Sequence, residues 1–465
     1  MLDSRIWPLT AALSPEGHLL IGGCDTTALA QTHGTPLYLL DEATVRQSCR
    51  DYRAALARHY AGPVSVHYAS KAMLNVPLAQ LITQEGLGLD VVSGGELFVA
   101  LRAGVDPAQI HLHGNAKPRA ELEQALAAGV GRIVVDTLDE LGLLARLTAG
   151  RATPQPVMLR LAPGIAADTH SHIQTGQADS KFGLPLAALD AAADMLCDAP
   201  GLRLVGLHAH LGSQLFDTAP FVRAVDLLLE CAARLREGHG LAIEEISPGG
   251  GVGVPYTPDQ PSPDLEGYAA ALGAALTAAC QRHGLPPLRL VIEPGRSIVA
   301  RAGVAIYTVL ARKQLESTPQ APSPKPQASG YIHIDGGMAD NIRPSLYGAR
   351  YSVLLANRAS EPPVGRVHIA GRFCESGDVL LRDAELPPAA PGDLLAVATA
   401  GAYTLSMASN YNLAPRPALL LVGSGRACVM QRRETYGDLV ARDIGLNESG
   451  AETPPAHSLH NKESL

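Results

Sequence analysis

Between residues 60 and 300, a short apolar, β-branched run ending in polar residues or glycine is followed by an Ala/Leu-rich helical stretch, and this pattern comes round eight times. The runs are VSVHYASK (64–71), LDVVSGG (89–95), IHLHG (110–114), RIVVD (132–136), VMLRLAPG (157–164), LVGLHAH (204–210), IEEISPGGG (243–251) and LVIEPGR (290–296). Eight strand–helix units in about 240 residues match the count and length of a (β/α)8, TIM-like barrel. A doubly wound α/β sheet is the rival architecture, but it rarely carries chemistry-bearing residues at the end of nearly every strand. In a barrel those ends converge on one face, where active sites sit. Lys71, His210, Gly250 and Glu293, far apart in sequence, then become neighbours.

Beyond residue 300 the texture changes to strands such as AIYTVLAR, GYIHIDGG, VGRVHIAG and DLLAVATAGAY, separated by Pro/Gly turns. A chain of 465 residues exceeds what one core serves, so two domains are expected. They are a barrel over 36–300 and a β-sandwich or β-barrel domain over 301–445, the latter completed by residues 1–35 through the strand-like HLLIGG. The Pro/Ser-rich 314–329 reads as a loop and 446–465 as a disordered tail.

The net charge of −8, with no Lys/Arg run, argues against nucleic acid as a partner. No apolar stretch of about 18 residues and no basic, apolar leader pattern is present, so a cytoplasmic protein without a membrane span is expected. The seven cysteines include no C-x-x-C pair, so neither a disulfide framework nor a zinc knuckle is indicated, and no metal is expected. Cys374 stands apart because RFCESGD (372–378) surrounds it with polar, turn-forming residues.

Only six of the 37 basic residues are lysines, and Lys71 alone directly follows a continuous apolar strand. Such a lysine in a desolvated barrel mouth can form a Schiff base with an aldehyde, although a strand-end lysine in isolation is more often a snorkelling surface group. Gly249-Gly250-Gly251 ends the seventh run and Glu293-Pro294-Gly295-Arg296 the eighth. Loops after strands seven and eight commonly bind phosphate through bare glycine amides. A lysine opposite a phosphate site points to pyridoxal 5′-phosphate, with Glu293 as the acid that keeps the pyridine nitrogen protonated. Structural readings are flexible turns for the glycines and a salt-bridge carboxylate for Glu293. A metal-dependent barrel hydrolase using His208 and His210 with His113 and Asp136 is a coherent rival that leaves Lys71 and the glycines unexplained.

HYASKA, GLDVVSGGEL, GLHAHLGSQ, GGGVGVPY, EPGRSIVA, DGGMADNIRPSLYGA, CESGD and AGAYTLSMASNYN, in this order over roughly 35–440, resemble the fold-type III pyridoxal-phosphate-dependent decarboxylases, and within them the diaminopimelate decarboxylases. The resemblance implies decarboxylation of meso-2,6-diaminopimelate to L-lysine and CO2, the last step of lysine biosynthesis. It implies that Lys71 forms the Schiff base, that His210 stacks on the cofactor ring, and that Glu293 partners its nitrogen. Ser213, Gly250, Gly251, Gly295 and Arg296 fall at its phosphate, with Asp90, Glu96, Arg160 and Tyr403 in its surroundings. Arg296, Arg343 and Tyr347 match positions that hold the distal carboxylate, Glu375 the one that reads the distal ammonium, and Cys374 the acid that reprotonates the α-carbon; Tyr403 also lies on the substrate side.

Diaminopimelate carries an amino-acid group at each end, so its unreacted end needs both a cation and an anion, which Arg343 and Glu375 supply. A simple ornithine- or arginine-type substrate needs no such cation, whereas sister enzymes acting on carboxynorspermidine or a siderophore precursor are harder to separate. The resemblance also implies a homodimer in which one subunit's Cys-Glu turn completes its partner's site. Two departures from the family pattern are Met73, where a polar residue is usual, and Thr399, where an Asp is common.

Overall fold

The computed structural model describes residues 2–165, 181–314 and 328–445. The eight runs become eight parallel strands: Val64–Ala69, Gly88–Val91, Ile110–Leu112, Arg132–Val135, Gln155–Ala162, Leu202–His208, Glu245–Ser247 and Arg289–Ile292. Each pairs with the next and the eighth pairs back onto the first, closing a barrel. Alternation fixes what lies inside. In the first strand Ser65, His67 and Ala69 line internal cavities, while Val66 and Tyr68 join the apolar layer beneath the helices. Short polar side chains begin the helices at the strand ends: Asn75 accepts from Leu78 N, Ser93 from Glu96 N and Thr137 from Glu140 N.

The second domain is built on the long strand Gly303–Gln314, which pairs antiparallel with Gly330–Ile334, Leu394–Val397 and Leu37–Asp41. The sheet runs Val379–Leu386, Gly365–Ala370, Gly330–Ile334, Gly303–Gln314, Leu37–Asp41, Ala418–Gly423, Arg426–Gln431. The N-terminal segment thus reaches the sheet differently from the expectation. Leu37–Asp41 supplies the pairing strand, whereas Leu19–Ile21 of HLLIGG forms a small three-stranded sheet of its own. Leu19 and Ile21 are fully buried and pack in one apolar cluster with Leu37, Leu39, Val304, Ile306 and Leu420. HLLIGG therefore contributes by packing instead of by strand pairing. Residues 315–327 of the expected loop and the expected tail 446–465 lie outside the described residues.

The two domains are joined at the chemistry-bearing end of the barrel. Tyr403 N and Ser406 Oγ, from the β domain, both donate to the carbonyl of Ala72, beside Lys71, at 2.8 and 3.0 Å. Thr399 adopts φ 55° and its hydroxyl donates to Ile6 O at 2.8 Å, so this departure anchors the N-terminal segment. Met73 is buried, and its carbonyl accepts from Tyr68 Oη at 2.7 Å. Among the described residues no helix is long and apolar enough to cross a membrane.

Candidate active site

The strand ends surround a cavity of about 320 Å³ lined by ten of the residues singled out from sequence: Lys71, Asp90, Arg160, His210, Ser213, Gly251, Glu293, Gly295, Arg296 and Tyr403. Lys71 sits in the single 3-10 turn Ser70–Ala72 that follows the first strand, exposed and without a hydrogen bond to another described residue. The buried lysine is Lys117, whose ammonium donates to Gly114 O, Val134 O and Glu140 at 2.6–2.7 Å. That fully bonded group is structural, which leaves Lys71 as the amine that faces the cavity.

Glu293 forms the opposite pole. Buried at the end of the eighth strand, it accepts from His208 Nε2 at 3.0 Å and from Ser247 Oγ at 2.8 Å. His113 Nε2 lies 3.6 Å from Glu293 and 3.7 Å from Asp90, too far for a hydrogen bond to either. Burial and the facing Glu293 charge push Asp90 well above the usual carboxylate range. Burial acts in the same direction on Glu293, but His208, His113 and the hydrogen bonds from His208 and Ser247 outweigh it and hold this carboxylate well below that range. Asp90 is therefore the protonated partner and Glu293 the charged one. Burial, with Lys71 and Arg160 nearby, lowers His210 well below the ordinary histidine value, so its imidazole is neutral at pH 7.

The loops after the sixth, seventh and eighth strands meet through glycines. A Cβ on Gly250 would collide with Glu293 O, and one on Gly251 with Gly212 O. Gly251 also has φ 109°, which side-chain-bearing residues rarely adopt. Beside them Arg296 donates to Ser213 Oγ at 2.9 Å and to Tyr256 Oη at 2.6 Å, and its guanidinium carbon lies 4.8 Å from the centre of the Tyr403 ring. Asp90 Oδ1, His113 Nε2 and Arg296 Nε are buried without a hydrogen-bond partner among the described residues. Buried polar atoms normally have one, so this cavity, with Arg296 on its wall, fits a polar, anionic group.

Residues 42–300 match the model of the family described as pyridoxal-dependent decarboxylase, pyridoxal binding domain. The chain is 42 % identical over 449 residues to diaminopimelate decarboxylase of Synechocystis sp., covering 95 % of this chain and 93 % of the relative. It is also 42 % identical to the Bacillus subtilis enzyme of that name, covering 94 % and 97 %. The crystal structure of diaminopimelate decarboxylase from M. jannaschii in complex with L-lysine superposes with a TM-score of 0.85 at 33 % identity, covering 94 % of this chain and 98 % of that one. The chain belongs to the diaminopimelate decarboxylases.

Six residues assigned by resemblance to this family lie elsewhere. Gly250 packs behind Gly251, and Glu96 accepts from Val92 N at 2.8 Å, bracing its own helix start. Arg343 is buried beyond Tyr256, and Tyr347 ends the short helix Arg343–Tyr347. Cys374 and Glu375 occupy an exposed turn that is held to this helix by Ser345 Oγ donating to Gly377 O at 2.6 Å, and neither lines the cavity. The histidines of the hydrolase rival divide differently from that scheme, since His208 and His113 face Glu293 while Asp136 faces Arg160 at 3.7 Å. His113, His208 and Glu293 place their ligand atoms within 4.8 Å of one another.

Sequence reasoning gave no role to Tyr256 and missed His67 and His111, whereas His113 and His208 were singled out only as ligands of the hydrolase rival. His67 and His111 stack at 3.7 Å between ring centres, and His113 meets His208 at 4.9 Å, forming an imidazole column inside the barrel. The available signal was period-2 alternation, which puts residues 65, 67 and 69 on one face. Burial holds His67 at about 4 and His111 and His113 well below the ordinary value. The unfolded chain binds these protons at a higher pH than the native one, so the column favours folding above pH 6.5 and loses that contribution as pH falls towards about 4. For His67 alone this is on the order of 3 kcal/mol. The thermal midpoint should fall steadily across that interval, and a flat profile would contradict neutral, buried imidazoles.

Proposed function

We propose that this chain binds pyridoxal 5′-phosphate in the barrel cavity and decarboxylates meso-2,6-diaminopimelate to L-lysine and CO2. The observation that carries the reading is the placement of Lys71 and a charged Glu293 on one cavity whose wall also includes Gly251, Gly295, Ser213 and Arg296. Lys71 offers the amine for the aldehyde, Glu293 would partner the ring nitrogen, and His210 the ring face. Ser213, Arg296 and the glycine loops suit the phosphate, with Gly250 allowing their close approach. When bound, the cofactor supplies an electron sink for the pair left by departing CO2.

The protein's own tasks are orientation and one proton delivery. Arg296 and Arg343, with Tyr347, take the carboxylate of the unreacted end, and Glu375 takes its ammonium. Cys374 holds the proton that replaces CO2 on the α-carbon. Tyr403 is fixed against the Lys71 turn by its backbone bond to Ala72.

Cys374 and Glu375 are on an exposed turn of the β domain, so we assign them to the site of a second subunit in a homodimer. Equal mixing and reassociation of Lys71→Ala and Cys374→Ala subunits tests this assignment. Half of the dimers are hybrids and each hybrid has one intact site, so about a quarter of wild-type CO2 release should return. Activity no greater than the sum of the two parents would remove the shared site.

A further inference from the structure

Two buried arginines next to the cavity have no carboxylate partner among the described residues. Arg296 donates to Tyr256 Oη at 2.6 Å and to Ser213 Oγ at 2.9 Å, whereas Arg343 donates to Tyr351 Oη at 2.6 Å. All three acceptors are hydroxyl oxygens, although buried charges are normally paired with opposite ones. One residue touches both cations. The Tyr256 ring lies 4.5 Å from the guanidinium carbon of Arg343, while its hydroxyl accepts from Arg296. Its position is fixed from both domains: Tyr256 N donates to Gln260 Oε1 at 2.7 Å, and Tyr256 O accepts from Ser352 Oγ at 3.0 Å. Tyr351 packs edge-on against the same ring at 5.4 Å.

A phenol can hold two cations, one through its oxygen and one through its π face, without cancelling the charge of either. An Asp or Glu at this place would pair with them and quench the field they present. We propose that Tyr256 is a specificity-determining positioning residue, which holds Arg296 and Arg343 on one aromatic ring so that their charge stays available to the carboxylate of the unreacted substrate end. The inference rests on the reading above that these two arginines take that carboxylate. Burial would raise the phenol's pKa, but the two guanidinium groups outweigh it and lower the value, in keeping with a ring that feels both charges.

Tyr256→Phe keeps the ring beneath Arg343 and removes only the acceptor for Arg296. L-Lysine retains the carboxylate and ammonium of the unreacted end, and 1,5-diaminopentane is the same molecule without that carboxylate. In the holoenzyme the variant should raise KM for diaminopimelate and the inhibition constant of L-lysine about tenfold each, the size of one lost charge-assisted hydrogen bond. kcat should change by less than about twofold, and the diamine's inhibition constant and the thermal midpoint should stay at their wild-type values. Equal weakening of L-lysine and diamine, or of neither, overturns the role of Tyr256. If the wild-type enzyme itself does not prefer L-lysine to the diamine, the carboxylate reading for the two arginines fails instead.

Discussion

Lys71→Ala should lower CO2 release from diaminopimelate by on the order of 10⁴-fold or more, because no other described lysine is placed to offer an amine to the cavity. Lys117 comes nearest in sequence and fold, but its ammonium is fully used by two carbonyls and Glu140. The substitution removes an exposed side chain on a turn held by backbone bonds to Ala72, so the fold should survive. A second readout separates lost chemistry from lost structure. After borohydride reduction and denaturation, wild-type protein should retain the cofactor covalently and Lys71→Ala should not. Retention by the variant would show that another amine does this work.

Glu293→Gln is expected to have the next largest effect, a fall in kcat of about 10²–10³-fold, the range found when one preorganised electrostatic contact to developing charge is removed. The replacement keeps the shape, its amide oxygen can still accept from His208 and its NH2 can donate to Ser247 Oγ, so packing around the site should persist. What disappears is the negative charge that His208, His113 and Ser247 maintain against burial. Asp90 does not replace it, because burial is the larger of the causes that keep Asp90 protonated and burial is unchanged in the variant. Removing Glu293's charge also relieves Asp90 of its main charged opponent, so the pair has to be considered together. A variant with kcat near wild type would remove Glu293 from the reaction and return it to a purely structural role.

The barrel was legible because each of its eight strands announces itself locally, as an apolar run closed by Lys71, Gly94, His113, Asp136, Gly164, His210, Gly251 or Glu293. Closure then follows from the count of eight, and Lys71, His113, His210, Gly251 and Glu293 at those ends fall around one cavity. The β domain was harder to place because strand partners are non-local. Nothing within LYLLD (37–41) says that it will lie between Gly303–Gln314 and Ala418–Gly423. HLLIGG is equally apolar, and only the fold decides that it packs on the sheet without joining it. Tyr256 escaped notice for a related reason. It follows the glycine loop by five residues, and its significance depends on two arginines brought in from other elements. The Cys374–Glu375 turn was legible as a polar turn in RFCESGD, while its place away from the lining of the barrel cavity was not.

The pair of hydrogen bonds onto Ala72 also has a meaning for the way the molecule is made. Ser406 and Ala72 are 334 residues apart, and residues 42–300, the cofactor-binding family segment, leave the ribosome long before either clamp residue. The nascent barrel can complete all eight strands while the turn bearing its reactive amine is still ungripped. A segment that emerges well after the barrel thus acts as the closing latch on the first loop of the site, and a truncated translation product that contains every barrel strand but stops short of Tyr403 lacks that latch.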